Sequence, residues 1–459
     1  MRYMKLALAA MSAAVLAACG GSSGSPQPGD QTIRVKFASQ VSFGDSLSDV
    51  GTYNVGTVKA LGGCKWTING NNAAINPELT GKNWTELMAA QFGLAAPCPA
   101  VTGLEGDATK GLNVPVVAAA NCTGYAQGGA RVSNPAGTGS KLTGSALGAL
   151  TYPVSKQIAN HLAKTGGKFK GDEVVFVMAG ANDIIGLLGA LQIAATNAGT
   201  AAGKQAFAVN LAGQLAAGAT NPATAAQAIG LAMATEAAKP GSTDTTVVTA
   251  GVTAAVMAGN TAVASPAVYG PMVAKAQTAA AAAGAKAGAD YATAQGPAQV
   301  AAMGALGAEL VGMVKNQLVA NGANYVVVNN IPDVATTPSA MAKDATTRAL
   351  IDAMVKAFNA QLASGLGSES KVLLVDVYTV SHDQIVNPGP YGLTNVTQTA
   401  CDLESPKNPL AAALTCNAGN LRAGDVSHWS FADDLHPTPF NNLLLARYVS
   451  KAMVTRGWL

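Results

Sequence analysis

The chain has 459 residues and a formal net charge of +3, with 28 basic and 25 acidic side chains. Hydrophobic residues make up 49% of the chain and charged residues 12%, which is typical of a folded protein with a large core. This composition excludes a disordered chain and a bundle of membrane helices. The near balance of charge predicts no nucleic acid and no anionic surface as a partner.

The N-terminus has the features of an export signal. Arg2 and Lys5 precede an apolar run, Leu6 to Ala18, that is too short to span a bilayer as a stable helix. The run ends in LAACG, which resembles the lipobox of bacterial lipoproteins. That resemblance implies removal of residues 1–18 and lipidation of Cys19, and an ordinary signal peptide is the alternative. Attachment to a membrane through the lipid is expected because several acyl chains anchor stably.

Residues 19–34 are predicted to form the lipidated cysteine and a flexible tether, since residues 20–30 read GGSSGSPQPGD. Gly20 directly after the lipidated position resembles lipoproteins that are sent on to an outer membrane. We therefore expect an exported bacterial lipoprotein at the outer membrane or cell surface, or released from it. The folded domain is expected to span residues 35–459.

Alternating strand and helix patterns predict a three-layer α/β fold around a central parallel sheet. A first short strand ends at Gly44, and a helix is expected to open directly after the turn that follows. Further predicted strands are Val114 to Ala120, Asp172 to Ala179, Asn324 to Asn329 and Val372 to Val377. Predicted helices are Trp84 to Phe92, Pro153 to Lys164, Leu310 to Leu318, Thr347 to Leu366 and a last helix after Thr438-Pro439.

Between these patterns, residues 189–307 consist of long Ala, Gly and Thr runs with scarcely an aromatic side chain. We expect an inserted helical region here. Two interpretations of this region remain open: helices without a specific role, and a cap over the active site.

The cysteines favour disulfides, because an exported chain meets an oxidising environment. Cys401 and Cys416 enclose a Pro-containing loop and form the first predicted pair. Among Cys64, Cys98 and Cys122, two are expected to pair, and the sequence leaves open which one remains. No CxxC motif occurs and the four histidines are scattered, so no metal site is predicted.

Short polar segments at strand ends supply the groups that acyl transfer needs. Ser46, in a Gly-Asp-Ser turn, is the candidate nucleophile, and His436 is the candidate base that takes its proton. An aspartate three residues before a histidine on a tight turn can orient the far imidazole nitrogen, which favours Asp433. Asp434 is the competing partner.

Three groups are candidate donors to a developing oxyanion: the Ser46 amide, an amide from the Gly128-Gly129 turn and the Asn182 side chain. The alternatives are an ordinary glycine turn and an Asn182-Asp183 helix cap. The other histidines stay outside the predicted chemistry. Of these, His161 is expected on a helix surface, and no partner pattern accompanies His382 or His428.

Taken together, FGDSLSDVGTYN, YAQGGARV, GAND and DDLHPT resemble the four blocks of the GDSL (SGNH) hydrolase family, in the family's order. The resemblance covers roughly residues 38–188 and 308–459. It implies a flavodoxin-like three-layer fold and ester hydrolysis without a metal or other cofactor. It also implies a Ser46, Asp433 and His436 triad, with an oxyanion hole from Ser46, Gly129 and Asn182. Gly129 is preferred over Gly128 because it precedes the Ala130-Arg131 pair.

The predicted function is that of a lipid-anchored serine esterase or lipase acting on carboxylic esters, with acyl lipids favoured as substrates. Alternatives that use the same residues are a phospholipase or lipid acyltransferase and a carbohydrate O-acetyl esterase. A non-enzymatic surface lipoprotein is the alternative from another class. The oligomeric state is not predicted.

Overall fold

The computed structural model describes residues 35–70 and 81–459. The predicted signal peptide, Cys19 and the tether up to residue 34 lie outside these described residues. The strands are β1 (Gln40–Gly44), β2 (Val101–Glu105), β3 (Asn113–Ala118), β4 (Val174–Met178), β5 (Tyr325–Asn329), β6 (Val372–Val375), β7 (Asn395–Thr399) and β8 (Trp429–Phe431).

The helices alternate with these strands along the chain. The first six are α1 (Gly56–Ala60), α2 (Trp84–Gln91), α3 (Val154–Lys164), α4 (Ala181–Ala216), α5 (Pro222–Ala237) and α6 (Asp244–Met257). The others are α7 (Pro266–Met313), α8 (Pro338–Met341), α9 (Ala345–Leu366), α10 (Val377–Val386) and α11 (Pro439–Arg456). The predicted Thr438 cap is confirmed, because its side chain accepts a hydrogen bond from the Asn441 amide and Pro439 follows it.

A parallel sheet with the strand order β1-β4-β5-β6 lies at the centre of the fold. Its side chains are buried on both faces, as expected for a parallel sheet covered by helices. Val175 and Val177 of β4 pack with residues of α3 and α9. Phe176 packs on the opposite side with residues of α2 and α11. The predicted α/β architecture with a central parallel sheet is therefore confirmed.

The apolar stripe of α9 is also confirmed. Its residues Ile351, Met354, Val355, Phe358 and Leu362 are all buried against the sheet. Their spacing follows the turn of an α-helix, so a single face of α9 meets the core.

One predicted central strand is wrong. The segment from Val114 to Ala120 forms β3, which pairs antiparallel with β2 outside the central sheet and is largely exposed. Pro115 lies within β3 and lacks the N–H that a central strand must donate. Beside β1, the chain instead places a short stretch in which Tyr125 N donates to Ser42 O at 2.8 Å.

Helices α4 to α7 form a helical arm with an apolar core of its own, which includes Leu211, Leu215, Ile229 and Met233. The two long helices, α4 and α7, approach closely at Gly199, where an added Cβ would lie 2.7 Å from the Gly284 carbonyl oxygen. The helical region predicted from residue 189 is thus continuous with a helix that begins at Ala181. By length and composition alone, Ala181–Ala216 and Pro266–Val319 are long and apolar enough to cross a membrane.

Two disulfides join described cysteines. Cys401 pairs with Cys416, as predicted, and Cys98 pairs with Cys122. Among the described residues Cys64 has no disulfide partner, and burial raises the pKa of its thiol to about 11. The structure thereby decides which of the three remaining cysteines is left over.

Candidate active site

Ser46 follows β1 at the carboxyl edge of the sheet, where open α/β sheets bind their ligands. At Gly44, the last residue of β1, the backbone approaches β4 so closely that an added Cβ would lie 2.1 Å from the Met178 carbonyl oxygen. The amide and carbonyl of Gly44 both hydrogen-bond the Gln157 side chain at 2.8 Å. These contacts fix the backbone that presents Ser46.

The helix expected directly after this turn is absent, and the first helix, α1, begins at Gly56. Aspartate side chains accept hydrogen bonds from the backbone amides of this segment, which a helix would bond to backbone carbonyls. Asp45 accepts from Leu47 N, and Asp49 accepts from the amides of Gly51 and Thr52. Such local bonds compete with helix formation, which explains why the segment stays in turns.

Ser46, His436 and Asp433 form a continuous hydrogen-bonded chain. His436 Nε2 lies 2.9 Å from Ser46 Oγ, and His436 Nδ1 lies 2.8 Å from Asp433 Oδ2. Ser46 and His436 are each 7% exposed and Asp433 is 3% exposed. With Nδ1–H donating to the carboxylate, Nε2 is free to accept the serine proton. The structure brings these three predicted residues together.

Asp433, rather than Asp434, bonds the imidazole. Its carboxylate also accepts from the amides of Ala413 at 2.7 Å and His436 at 2.7 Å. Burial opposes ionisation of Asp433, but attraction to His436 and these hydrogen bonds outweigh it and hold its pKa below the ordinary value. The carboxylate is therefore ionised where it faces the imidazole.

Charge also prepares His436 to hold a proton. Burial opposes its protonation, but the charge and hydrogen bond of Asp433 prevail and raise the pKa of the imidazole. Asp45 lies close by, and burial raises the pKa of its carboxyl to about 7. The site thus stabilises an imidazolium at His436 more than water does.

The predicted oxyanion donors have free hydrogen-bonding groups. Among the described residues, neither the Ser46 amide nor the Gly129 amide has an acceptor, whereas the Gly128 amide donates to Asp49 Oδ2 at 2.9 Å. The side chain of Asn182 likewise makes no hydrogen bond to a described residue and lines the same cavity as Ser46 and His436. Gly129 does not line this cavity, although it directly follows Gly128 at the site.

The Asn182-Asp183 pair does not cap α4, because Gly180 is the N-cap and no side chain bonds the free amides. Asp183 instead accepts from Arg131 Nε and from Val132 N, both at 3.0 Å. The buried carboxylate therefore ties the GAND segment to the GGARV segment. This contact fixes Asn182 relative to the glycine turn.

Trp66 is a site residue that the sequence analysis missed. The centre of its indole ring lies 4.8 Å from that of His436, and an added Cβ on Gly128 would lie 2.1 Å from Trp66 Nε1. Trp66 therefore packs between the base and the glycine turn. No local pattern marks it, because it lies in an irregular connection far from His436 along the chain.

The expectation that His161 lies on a helix surface is wrong. His161 is 1% exposed and lies 3.3 Å from the Tyr125 hydroxyl, and burial lowers its pKa to about 4. The face of α3 that carries it packs on the sheet. His382 has a partner from a different element, since its Nδ1 lies 2.7 Å from Asp333 Oδ2. His428 stacks on Phe440.

The cavity beside Ser46 runs along the carboxyl edge of the sheet and reaches α10. Much of its lining is apolar, including Leu47, Met178, Val334, Val380, Phe431 and Leu445. Ser46, Asn182 and His436 line it together, and further polar side chains such as Thr336, Ser381 and Gln384 lie elsewhere in the lining. The apolar part of the lining suits a hydrophobic chain attached to an ester carbonyl.

Comparison with known proteins gives a weak similarity. No family model matches the chain. An Arabidopsis thaliana protein described as a GDSL esterase/lipase is 27% identical over 141 residues, which are 29% of this chain. The matched segment spans 38% of that relative's own length. This similarity supports the GDSL family at most, and it suggests a hydrolase that acts on esters.

Proposed function

We propose that this protein is a serine ester hydrolase of the SGNH type that cleaves carboxylic esters through an acyl-enzyme. The observation that carries the proposal is the hydrogen-bonded chain from Ser46 through His436 to Asp433 at one end of an apolar cavity. A flavodoxin-like SGNH fold and membrane attachment through Cys19 at the outer membrane or cell surface are part of the same proposal.

In the first half of the reaction, Ser46 Oγ attacks the ester carbonyl while its proton moves to His436 Nε2. Asp433 stabilises the imidazolium that forms. The protonated Nε2 then donates to the leaving alcohol, and the acyl group remains on Ser46. In the second half, His436 takes a proton from the water that attacks the acyl carbonyl, and it returns this proton to Ser46 Oγ as the bond to the acyl group breaks and the acid leaves.

The amides of Ser46 and Gly129 and the Asn182 amide group are the donors we assign to the tetrahedral oxyanion. Each such donor is typically worth about 3–4 kcal/mol in the barrier. All three lack a competing acceptor among the described residues, so the substrate oxyanion would not displace an existing hydrogen bond.

The apolar cavity favours an ester of a fatty acid over a sugar acetate. An acetyl group would leave most of the apolar lining uncovered, whereas a longer chain gains hydrophobic contact along it. We therefore propose acyl lipids as the substrate class. The same residues serve acyl transfer when an alcohol replaces water in the second step.

The test uses protein without residues 1–19 and follows hydrolysis of p-nitrophenyl acetate, butyrate, octanoate and palmitate. We expect kcat/KM to rise with chain length and Ser46→Ala to lower kcat by about 10⁴–10⁶-fold. A fluorophosphonate probe should label the wild type on Ser46 and leave the variant unlabelled.

Ser48→Ala is the matched control. It removes a buried hydroxyl only two residues from Ser46, but this hydroxyl accepts from the Trp84 indole and does not line the cavity. The control should keep its turnover and its probe labelling. Near-normal hydrolysis by Ser46→Ala would overturn the mechanism, and activity confined to acetate would overturn the substrate class.

A further inference from the structure

Gln384 is an unusual member of the cavity lining. It lies on α10, whose face toward the cavity carries Val377, Val380, Ser381, Gln384 and Ile385. The spacing of these residues is that of one helical stripe. Gln384 is thus the long polar side chain on an otherwise largely apolar wall.

Gln384 is a buried residue whose side-chain amide borders the cavity and has no hydrogen-bond partner among the described residues. The residue is 5% exposed, and its side chain makes no hydrogen bond to any residue that the structure describes. Buried amides are normally hydrogen-bonded, because an unpaired one loses its contacts with water and gains nothing in return. The amide therefore has one donor group and one acceptor group directed to whatever fills the cavity.

Other polar side chains of the cavity are already engaged. Ser381 Oγ accepts from Asp333 N and donates to Tyr378 O. Thr336 and Thr337 donate to backbone carbonyls, and Asn441 donates to Ser430. Among the described lining residues, Asn182 and Gln384 are the polar side chains that make no hydrogen bond. The first belongs to the proposed oxyanion hole, so the second is unassigned.

Gln384 and Ser46 belong to segments that follow the two outermost strands of the central sheet. Ser46 follows β1, and α10 follows β6, three strands away in the order β1-β4-β5-β6. Three strand spacings separate these ends by about 14 Å. Because the helix that carries Gln384 begins at this far strand, we expect the amide to meet a part of the acyl chain that is remote from the ester carbonyl at Ser46.

We propose that Gln384 determines specificity by hydrogen-bonding a hydroxyl or carbonyl carried on the acyl chain remote from the ester. This inference rests on the proposed ester hydrolase function and narrows its substrates to oxygenated acyl esters. A plain alkyl chain would cover the amide and leave it unpaired, whereas an oxygenated chain would satisfy it. Sites built around a hydrogen bond discriminate strongly against analogues that lack the partner group.

The test compares p-nitrophenyl octanoate with its β-hydroxy and ω-hydroxy derivatives, and repeats the comparison with the dodecanoate series. The leaving group is the same throughout, so the ratio of kcat/KM values reports on the acyl chain alone. We expect the wild type to prefer the ω-hydroxy ester over the plain ester by about tenfold or more at one of the two lengths, which corresponds to one hydrogen bond. The β-hydroxy ester should show no such preference.

Gln384→Leu should abolish this preference by improving plain esters and weakening ω-hydroxy esters. Gln384→Met is a second variant of similar length, in case the branched side chain impairs folding. Gln227→Leu, at an exposed position on α5, is the matched control and should keep the wild-type ratio. Each protein is first titrated with a small fluorophosphonate so that rates refer to active enzyme.

The two proposals fail in different ways. If Ser46 is not labelled and no ester is cleaved, the proposed function fails, and this inference fails with it. If octanoate is cleaved in a Ser46-dependent way but wild type and Gln384→Leu give the same ratio, the role of Gln384 is wrong and the hydrolase function stands. The role of Gln384 is equally wrong if the wild type prefers the plain esters.

Discussion

The sheet edge around Ser46 and the helical arm are built on different principles. The sheet edge buries many polar side chains, and most of them are hydrogen-bonded: Asp49, for example, accepts from the Gly128 amide and Asp183 accepts from Arg131. Beyond the first turn of α4, Asn260 is the one buried polar side chain among the described residues of the arm. The arm instead packs Ala, Gly and a few larger apolar residues.

This contrast indicates where precision is required. Hydrogen bonds at the sheet edge fix positions to a fraction of an ångström, which catalysis needs. The packing of small residues in the arm tolerates many substitutions that conserve side-chain volume and hydrophobic character. Substitutions of the same type should therefore have large effects at the sheet edge and small effects in the arm.

The largest effect after loss of the nucleophile is expected for Asp433→Asn. The amide keeps the size of the side chain but removes the charge that stabilises the imidazolium, so kcat should fall by about 10⁴-fold. In the wild type, kcat/KM should rise with pH as His436 loses its proton, with an apparent pKa above the ordinary value of about 6.5. In the variant, burial is opposed only by the weaker attraction of Asp45 and Asp434, so the rising limb should move to lower pH.

A pH-rate profile of both proteins checks this expectation. Asp434→Asn is the control, since its carboxylate does not bond the imidazole. If Asp434→Asn lost as much activity as Asp433→Asn, the assignment of the orienting residue would be wrong.

Asn182→Ala should lower kcat by about 10²–10³-fold with a small change in KM, because the donor acts on charge that develops in the transition state. The fold should persist, as the Asn182 side chain makes no hydrogen bond to a described residue. Steady-state kinetics on p-nitrophenyl octanoate measure the split between kcat and KM. A rise in KM at unchanged kcat would contradict the oxyanion role.

Removal of the Cys401–Cys416 disulfide by a double alanine substitution should lower the free energy of unfolding by about 3 kcal/mol, given a separation of 15 residues. Activity should also fall, since Ala413 inside this loop donates its amide to Asp433 at 2.7 Å. Denaturant unfolding and kinetics on the same preparation test both effects. Loss of stability without loss of activity would show that the Ala413 contact is dispensable.

The smallest effects come from a matched pair of glycine substitutions. Gly128→Ala places a Cβ 2.1 Å from Trp66 Nε1 and should destabilise the protein by about 1–3 kcal/mol and displace the ring from His436. Gly213 lies on α4 with open space around the position of an added Cβ, so Gly213→Ala should stabilise the protein by about 0.5–1 kcal/mol. Thermal unfolding of both variants gives the comparison. Equal responses would remove the distinction between the two regions.

The sequence by itself determined the features that depend on neighbouring residues. Strand and helix periods located β1, β4, β5, β6 and α9, and the four short motifs located Ser46, Asn182, Asp433 and His436. The Thr438 cap and the Cys401–Cys416 pair were also predicted. Each of these signals lies within a few residues of chain, where side-chain spacing reflects backbone geometry directly.

Tertiary structure alone decided which distant groups meet. Ser46 and His436 are 390 residues apart, and no local pattern measures the 2.9 Å between them. Packing likewise decided that β3 stays outside the sheet, that His161 is buried and that Trp66 covers His436. Gln384 was invisible to sequence reasoning for the same reason, since a helical stripe does not say which cavity it faces. Burial and contact are properties of the folded chain, so a one-dimensional pattern limits them without fixing them.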